Sequence, residues 1–176
     1  MIVFPNCKIN LGLQVHGKRA DGYHNLSTVF HPLPWYDVLE IIRCPDDAWI
    51  SRLHHQQKLI QMHQLNDLVL VQSGLPVGGD PEANLCVKAY RLLQSVATLP
   101  PVWIHLHKTI PMGAGLGGGS ADGAFTLQLL NRQFNLGLSQ QQLIDFALQL
   151  AAIVRFSSST NLVTQPAEEK KWSPLR

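Results

Sequence analysis

The sequence predicts an α+β domain with strands packed against helices, and three observations lead there. The opening third alternates apolar and polar residues at the two-residue period of strands. Apolar residues before position 151 recur at helical period, and a glycine-dense stretch joins a strand-like run to a helix-like run. A chain of 176 residues with 45% hydrophobic content suits one domain with a core.

Taken in order, Ile2 to Phe4 and Lys8 to Val15 read as strand. In the second, Ile9, Leu11, Leu13 and Val15 alternate with Asn10, Gly12 and Gln14, which puts Lys8, Asn10 and Gln14 opposite the apolar face. The stretch from Gly17 to His24 is polar, and its Asp21-Gly22 pair signals a turn. Leu26 to Leu33 and Asp37 to Ile42 resume strand character. Residues 44 to 66 fit an amphipathic helix or a poorly ordered insert equally well, and a short apolar run, Leu68 to Val71, precedes a loop from Gly74 to Pro81.

Asn84 can cap a helix carrying Leu85, Val87, Ala89, Leu92 and Leu93, which must end before Pro100. Val102 to His107 is strand by alternation, with Val102, Ile104 and Leu106 on one face and Trp103, His105 and His107 on the other. A helix is expected from about Ser120 to Phe134, broken by residues 135–138. Ser139 with Gln142 forms a capping box for a further helix through Leu143, Ile144, Ala147, Leu150 and Ala151. From Ile153 onward neither period nor apolar content persists, and residues 152–176 read as an unstructured tail on a domain spanning 1–151.

Composition removes several classes of function. A net charge of +2 without a basic stripe gives no argument for nucleic acid. Cys7, Cys44 and Cys86 are odd in number and far apart, so they indicate neither a disulfide framework nor a zinc site, and a reducing cytoplasm is expected. The first residues lack a basic segment followed by an apolar core, and no apolar run approaches about 18 residues, so neither secretion nor a membrane span is expected. The pattern leaves oligomeric state open.

The chemistry concentrates in residues 110–122, which hold five of the thirteen glycines. Residues without Cβ allow positive φ and a close approach of backbone to a polyanion, and a helix starting at the loop's end presents free N–H groups and a positive dipole end. The stretch reads as a phosphate cradle. It is not a Walker A loop, having no Gly-Lys-Ser/Thr, and it lacks the acidic residue about 20 positions on that a dinucleotide fingerprint carries. A tight strand-to-helix connection is the bland alternative. His105 and His107 share a strand face but have no third ligand at metal spacing, and His54, His55 and His63 fit a solvated polar face.

The run Pro111-Met112-Gly113-Ala114-Gly115-Leu116-Gly117-Gly118-Gly119-Ser120 resembles the Pro-x-x-x-Gly-Leu-Gly-Ser-Ser ATP loop of the GHMP kinases. The runs from Pro5 to Leu11 and from Arg19 to His24 resemble two further motifs of that family, in the family's order, and the likeness extends from about Val3 to Leu150. It implies the family's N-terminal domain, of the ribosomal protein S5 domain 2-like fold, without the C-terminal domain that completes the substrate cleft. It also implies ATP-dependent phosphorylation of a cytidine-bearing alcohol in isoprenoid precursor synthesis, with Mg²⁺.

By the same resemblance, Lys8 is the catalytic lysine and Asn10 contacts substrate, while Pro111 to Ala121 hold ATP and Ser120 helps hold phosphates and magnesium; the alternative for Ser120 is a helix N-cap, and it can be both. Tyr23 would stack on cytosine and His24 would hydrogen-bond its edge, while Asp21 sets the turn. Another small-molecule kinase of the superfamily and a non-catalytic nucleotide-binding remnant are the alternatives.

Two departures from the family pattern stand out. Residues 49–64 are longer and richer in glutamine and histidine than the family's connection, which affects the adenine side of the site. After Leu150 the family carries Gly-Ala-Asp-x-Pro-Phe-Phe, whose aspartate is the general base, but here Ala151-Ala152-Ile153-Val154-Arg155-Phe156 stands instead. One allowed back-translation of Ile153 to Arg176, read one register over, spells Asp-Cys-Pro-Phe-Phe-Leu-Val-Asn-Lys-Pro-Cys-His-Ala-Thr-Gly-Arg-Gly-Glu-Lys-Met-Glu-Pro-Val-Ala. That string resembles the family's missing segment, so a single-nucleotide deletion near codon 151 is expected, leaving the product weak or inactive.

Overall fold

A computed structural model describes residues 1–18, 24–44 and 60–157. Among them, β1 (Ile2–Val3), β4 (Val38–Arg43), β5 (Gln61–Leu65), β6 (Leu68–Gly74) and β7 (Val102–Lys108) form one sheet in the order β1-β4-β7-β6-β5. β2 (Asn6–Lys18) and β3 (His24–Tyr36) pair separately as an antiparallel ribbon. Only β6 and β7 run parallel, with Leu70 opposite Ile104, because α1 (Leu85–Gln94) makes the crossover between them. α2 (Gly118–Gln133) and α3 (Gln140–Ser157) complete the described elements.

The sheet's parity decides what is buried. Leu39 and Ile41 from β4, Leu68 and Leu70 from β6, and Val102, Ile104 and Leu106 from β7 face the helices and join Val87, Tyr90 and Leu93 of α1 and Leu127 and Leu130 of α2 in one core. On the opposite face Val69, Val71 and Trp103 pack with Ile42, Cys44, Ile60 and Met62. β6 is therefore apolar on both faces, which is why residues 68–71 read as a continuous run rather than an alternation. Each leucine or isoleucine enclosed in this way contributes about 1.5–3 kcal/mol of transfer free energy.

Helix ends follow their caps. Asn84 accepts from the Cys86 amide at 2.9 Å and starts α1. Ser139 and Gln142 close the capping box reciprocally, Ser139 N donating to Gln142 Oε1 at 2.9 Å and Gln142 N to Ser139 Oγ at 3.3 Å. The break between α2 and α3 uses positive φ at Asn135 and Gly137, and the Asn131 side chain ties it to Leu138 through both its carbonyl and its amide.

Four expectations are revised. Residues 61–65, which fit a helix or an insert, form an edge strand, Met62 pairing with Val71 across β6; residues 45–59 lie outside the described residues. The alternation predicted for β2 breaks where its register shifts between Leu11 and Leu13, at Gly12 with φ of 66°, and Leu11, Leu13 and Val15 are exposed. α3 continues to Ser157, past Ile153 where the apolar period ends; residues 158–176, most of the expected tail, lie outside the described residues. Ser120 is not an N-cap, since α2 begins two residues earlier and Gly117 holds that position.

Candidate phosphate-binding site

The loop between β7 and α2 takes its shape from glycine. Gly113, Gly115 and Gly117 have φ of 74°, 73° and 73°, a left-handed conformation that costs other residues about 1–2 kcal/mol each. Residues 111–115 are exposed, so the curled backbone is accessible. Gly117 caps α2 without a side-chain hydrogen bond, and the first backbone bond into the helix is Ala121 N to Gly117 O at 3.0 Å. No cap side chain satisfies the preceding amides of the first turn, and the positive end of the helix dipole lies behind them, an arrangement that suits an anion.

Space in the loop is as restricted as its dihedral angles. A Cβ on Gly118 would lie 2.9 Å from Ile110 Cγ2, and one on Gly117 would lie 3.0 Å from Lys8 Cε. The strand β2 docks on the loop through backbone and side chain of a single residue. Lys8 N donates to Leu116 O at 2.9 Å, and Lys8 Nζ donates to Gly115 O at 2.9 Å and to Asn10 Oδ1 at 2.6 Å. The same ammonium lies 5.3 Å from the centroid of the Phe30 ring on β3. Lys8 and Asn10 thus share a face, as their spacing predicts, and an ammonium stands at the rim of the cradle.

Beneath the loop lies an ion cluster that sequence reading assigned no part. Lys108 Nζ donates to Asp37 and, at 2.8 Å, to Asp122 Oδ2, and the three side chains are 1%, 0% and 3% exposed. Asp37 Oδ1 accepts from Thr109 N at 2.7 Å and Ile110 N at 2.9 Å, and Thr109 Oγ1 donates to Tyr36 O at 2.5 Å. Burial pushes the Asp122 carboxyl up to about 7, against the pull of the Lys108 ammonium and with the push of Asp37. Lys108 is held above its ordinary value because Asp122 and Asp37 outweigh its burial. One signal for this cluster was present: Lys108 continues the parity of Val102, Ile104 and Leu106, which places its side chain on the helix-covered face.

The predicted site residues divide into two groups. Lys8, Asn10 and residues 111–121 come together, with Ser120 exposed in the first turn of α2. Tyr23 lies outside the described residues, as do Arg19 to Gly22 with Asp21; His24 begins β3, and its side chain is likewise outside them. The rejected histidine pair proves to be satisfied locally, since Ser73 Oγ lies 2.9 Å from His105 Nε2 and 2.9 Å from His107 Nδ1. His54 and His55 fall outside the described residues, and His63 lies on β5. Among the described residues no group of three or more histidine, cysteine or acidic side chains could hold a metal, and no helix is long and apolar enough to cross a membrane. Burial pushes the Cys86 thiol up to about 12, which removes it as a nucleophile.

Residues 84–164, from the cap of α1 through the loop and α3 to beyond Ser157, match the model of the GHMP kinases N terminal domain. A 4-diphosphocytidyl-2-C-methyl-D-erythritol kinase of Bacteroides fragilis is 53% identical over 156 residues, which are 89% of this chain and 51% of that protein. The protein of the same name from Cytophaga hutchinsonii is 48% identical over 145 residues, 82% of this chain and 46% of its own length. A crystal structure of 4-(cytidine 5'-diphospho)-2C-methyl-D-erythritol kinase superposes with a TM-score of 0.63 at 32% identity, covering 89% of this chain and 48% of that one. The chain spans about half the length of the curated relatives it matches. The glycine loop between β7 and α2 lies within the stretch that matches the GHMP kinases N terminal domain, and the fold agrees with that of the solved kinase, so this chain carries that N-terminal domain.

Proposed function

We propose that the chain supplies the nucleotide half of a 4-diphosphocytidyl-2-C-methyl-D-erythritol kinase, which transfers the γ-phosphoryl group of ATP to the substrate's 2-hydroxyl. The observation that carries this reading is the contact of Lys8 with the glycine loop, because it sets an ammonium beside the place where phosphates would lie. Phosphoryl transfer asks a protein for positioning and for stabilisation of charge on the moving group, and this pairing offers both. Residues 111–121 would hold the phosphates through loop amides that precede Ala121, whose own N–H closes onto Gly117 O, and Lys8 would stabilise charge between donor and acceptor. Asn10, hydrogen-bonded to Lys8, would meet the substrate alcohol, and Tyr23 and His24 would recognise its cytosine.

Mg²⁺ would neutralise phosphate charge when bound, with the exposed hydroxyl of Ser120 as its protein-side contact. Few protein ligands are needed, since Mg²⁺ on a nucleotide keeps phosphate and water oxygens as partners.

The general base sets a limit on turnover. Where the family places an aspartate, this chain has residues 151–156 with no carboxylate, so we expect nucleotide binding to outlast phosphoryl transfer. A coupled assay with ATP, Mg²⁺ and 4-diphosphocytidyl-2-C-methyl-D-erythritol tests this directly. Turnover is expected to be weak or absent and to vanish entirely in Lys8→Met; ordinary turnover would overturn the assignment of the base. The out-of-frame reading of residues 153–176 has its own test. Sequencing the gene across codon 151 is expected to reveal a one-nucleotide deletion, and an unbroken frame in independent isolates would refute it.

A further inference from the structure

Both ends of the glycine loop are tied to one buried ammonium. On the entry side Asp37 accepts from Thr109 N and Ile110 N, and on the exit side Asp122 stands in the second turn of α2; Lys108 Nζ donates to both carboxylates. Entry and exit are also pressed together, for a Cβ on Gly118 would meet Ile110 Cγ2 at 2.9 Å and Lys108 Nζ at 3.4 Å. Lys108 is 1% exposed, so its ammonium is occupied by the two carboxylates rather than offered to a ligand. A buried cation between two acids is a costly device for stability alone, and its geometry fixes relative position instead.

We propose that Lys108 is a positioning residue for phosphate binding, holding the first turn of α2 against the end of β7 so that the loop amides converge on the nucleotide's phosphates. The inference rests on the reading that the loop holds those phosphates. Asp37 and Asp122 act as the two anchors, and Lys8, which reaches Gly115 O and Leu116 O from outside, holds the middle of the loop between them. Of the contacts that shape the cradle, the Lys108 pair alone joins its two stems through a charged side chain among the described residues.

Calorimetric titration of the full chain with a non-hydrolysable ATP analogue and, separately, with adenosine isolates the contribution of the phosphates as a ratio of affinities. Lys108→Met is expected to lower that ratio at least tenfold while adenosine affinity stays within about twofold, at a temperature where circular dichroism finds the variant folded. If Lys108→Met does not fold, the double variant Lys108→Met with Asp122→Asn neutralises one of the two carboxylates that lose the ammonium, the other, Asp37, keeping its bonds from Thr109 N and Ile110 N, and carries the same expectation. A folded variant of either kind with the wild-type ratio overturns the proposal. A wild-type chain that binds analogue and adenosine equally overturns the phosphate reading itself, and the inference with it.

Discussion

Lys8 shows how a residue acquires a role from its neighbours. In isolation it is a lysine on an alternating strand, but its amide and its ammonium both donate to the glycine loop, and Asn10 accepts from the ammonium. Its polar parity was legible in the sequence, whereas the loop contact was not, because strand period carries no information about which loop a strand will meet. Asp67 illustrates a different dependence at the same scale. Burial raises its pKa, but hydrogen bonds from Arg91, Gln94 and Tyr90 outweigh this and hold it below 3.8. The stabilisation it contributes is therefore present above the unfolded-state pKa and is lost as pH falls through the lower folded-state value. Asp67→Asn is expected to lose about 1–2 kcal/mol in denaturant melts at pH 7, and the gap from wild type should narrow below about pH 4. A gap unchanged at pH 2.5 would contradict the assignment.

At the scale of elements, the starts of α1 and α3 and the strands of the sheet other than β5 were readable because each has a local cause. Asn84 and the Ser139–Gln142 pair satisfy backbone donors nearby in sequence, and β7 separates its faces by parity. β5 was not readable: Gln61–Leu65 is a polar edge strand whose pairing with β6 depends on a partner, not on its own pattern. Ser120 misled for a related reason, since a serine after glycines looks like a cap, whereas positive φ at Gly117 lets the helix begin earlier. The same glycine supplies a prediction. Gly117→Ala adds left-handed strain of about 1–2 kcal/mol and brings a methyl to 3.0 Å from Lys8 Cε, so affinity for an ATP analogue should fall about tenfold by calorimetry. Unaltered affinity would show that the loop does not need this conformation to bind.

For the molecule as a whole, the core and the site are built by the same sheet. β7 delivers Val102, Ile104 and Leu106 to the core and Lys108 to the base of the cradle on one continuous face. The β2–β3 ribbon stands apart, paired only with itself as a sheet and carrying Leu11, Leu13, Val15, Val29 and Phe30 exposed while it presents Lys8 to the loop. The pair expected to recognise cytosine involves Tyr23, outside the described residues, so that part of the site rests on resemblance, while the phosphate part rests on geometry as well. The loop between β7 and α2 is expected to bind nucleotide through its phosphates. Titrating the chain with a non-hydrolysable ATP analogue in the presence of Mg²⁺, against adenosine as the reference, tests it most directly. Binding of the analogue with one site per chain, at least tenfold tighter than adenosine, is the predicted result; equal affinity for the two, or no binding of the analogue at millimolar concentration, would contradict it.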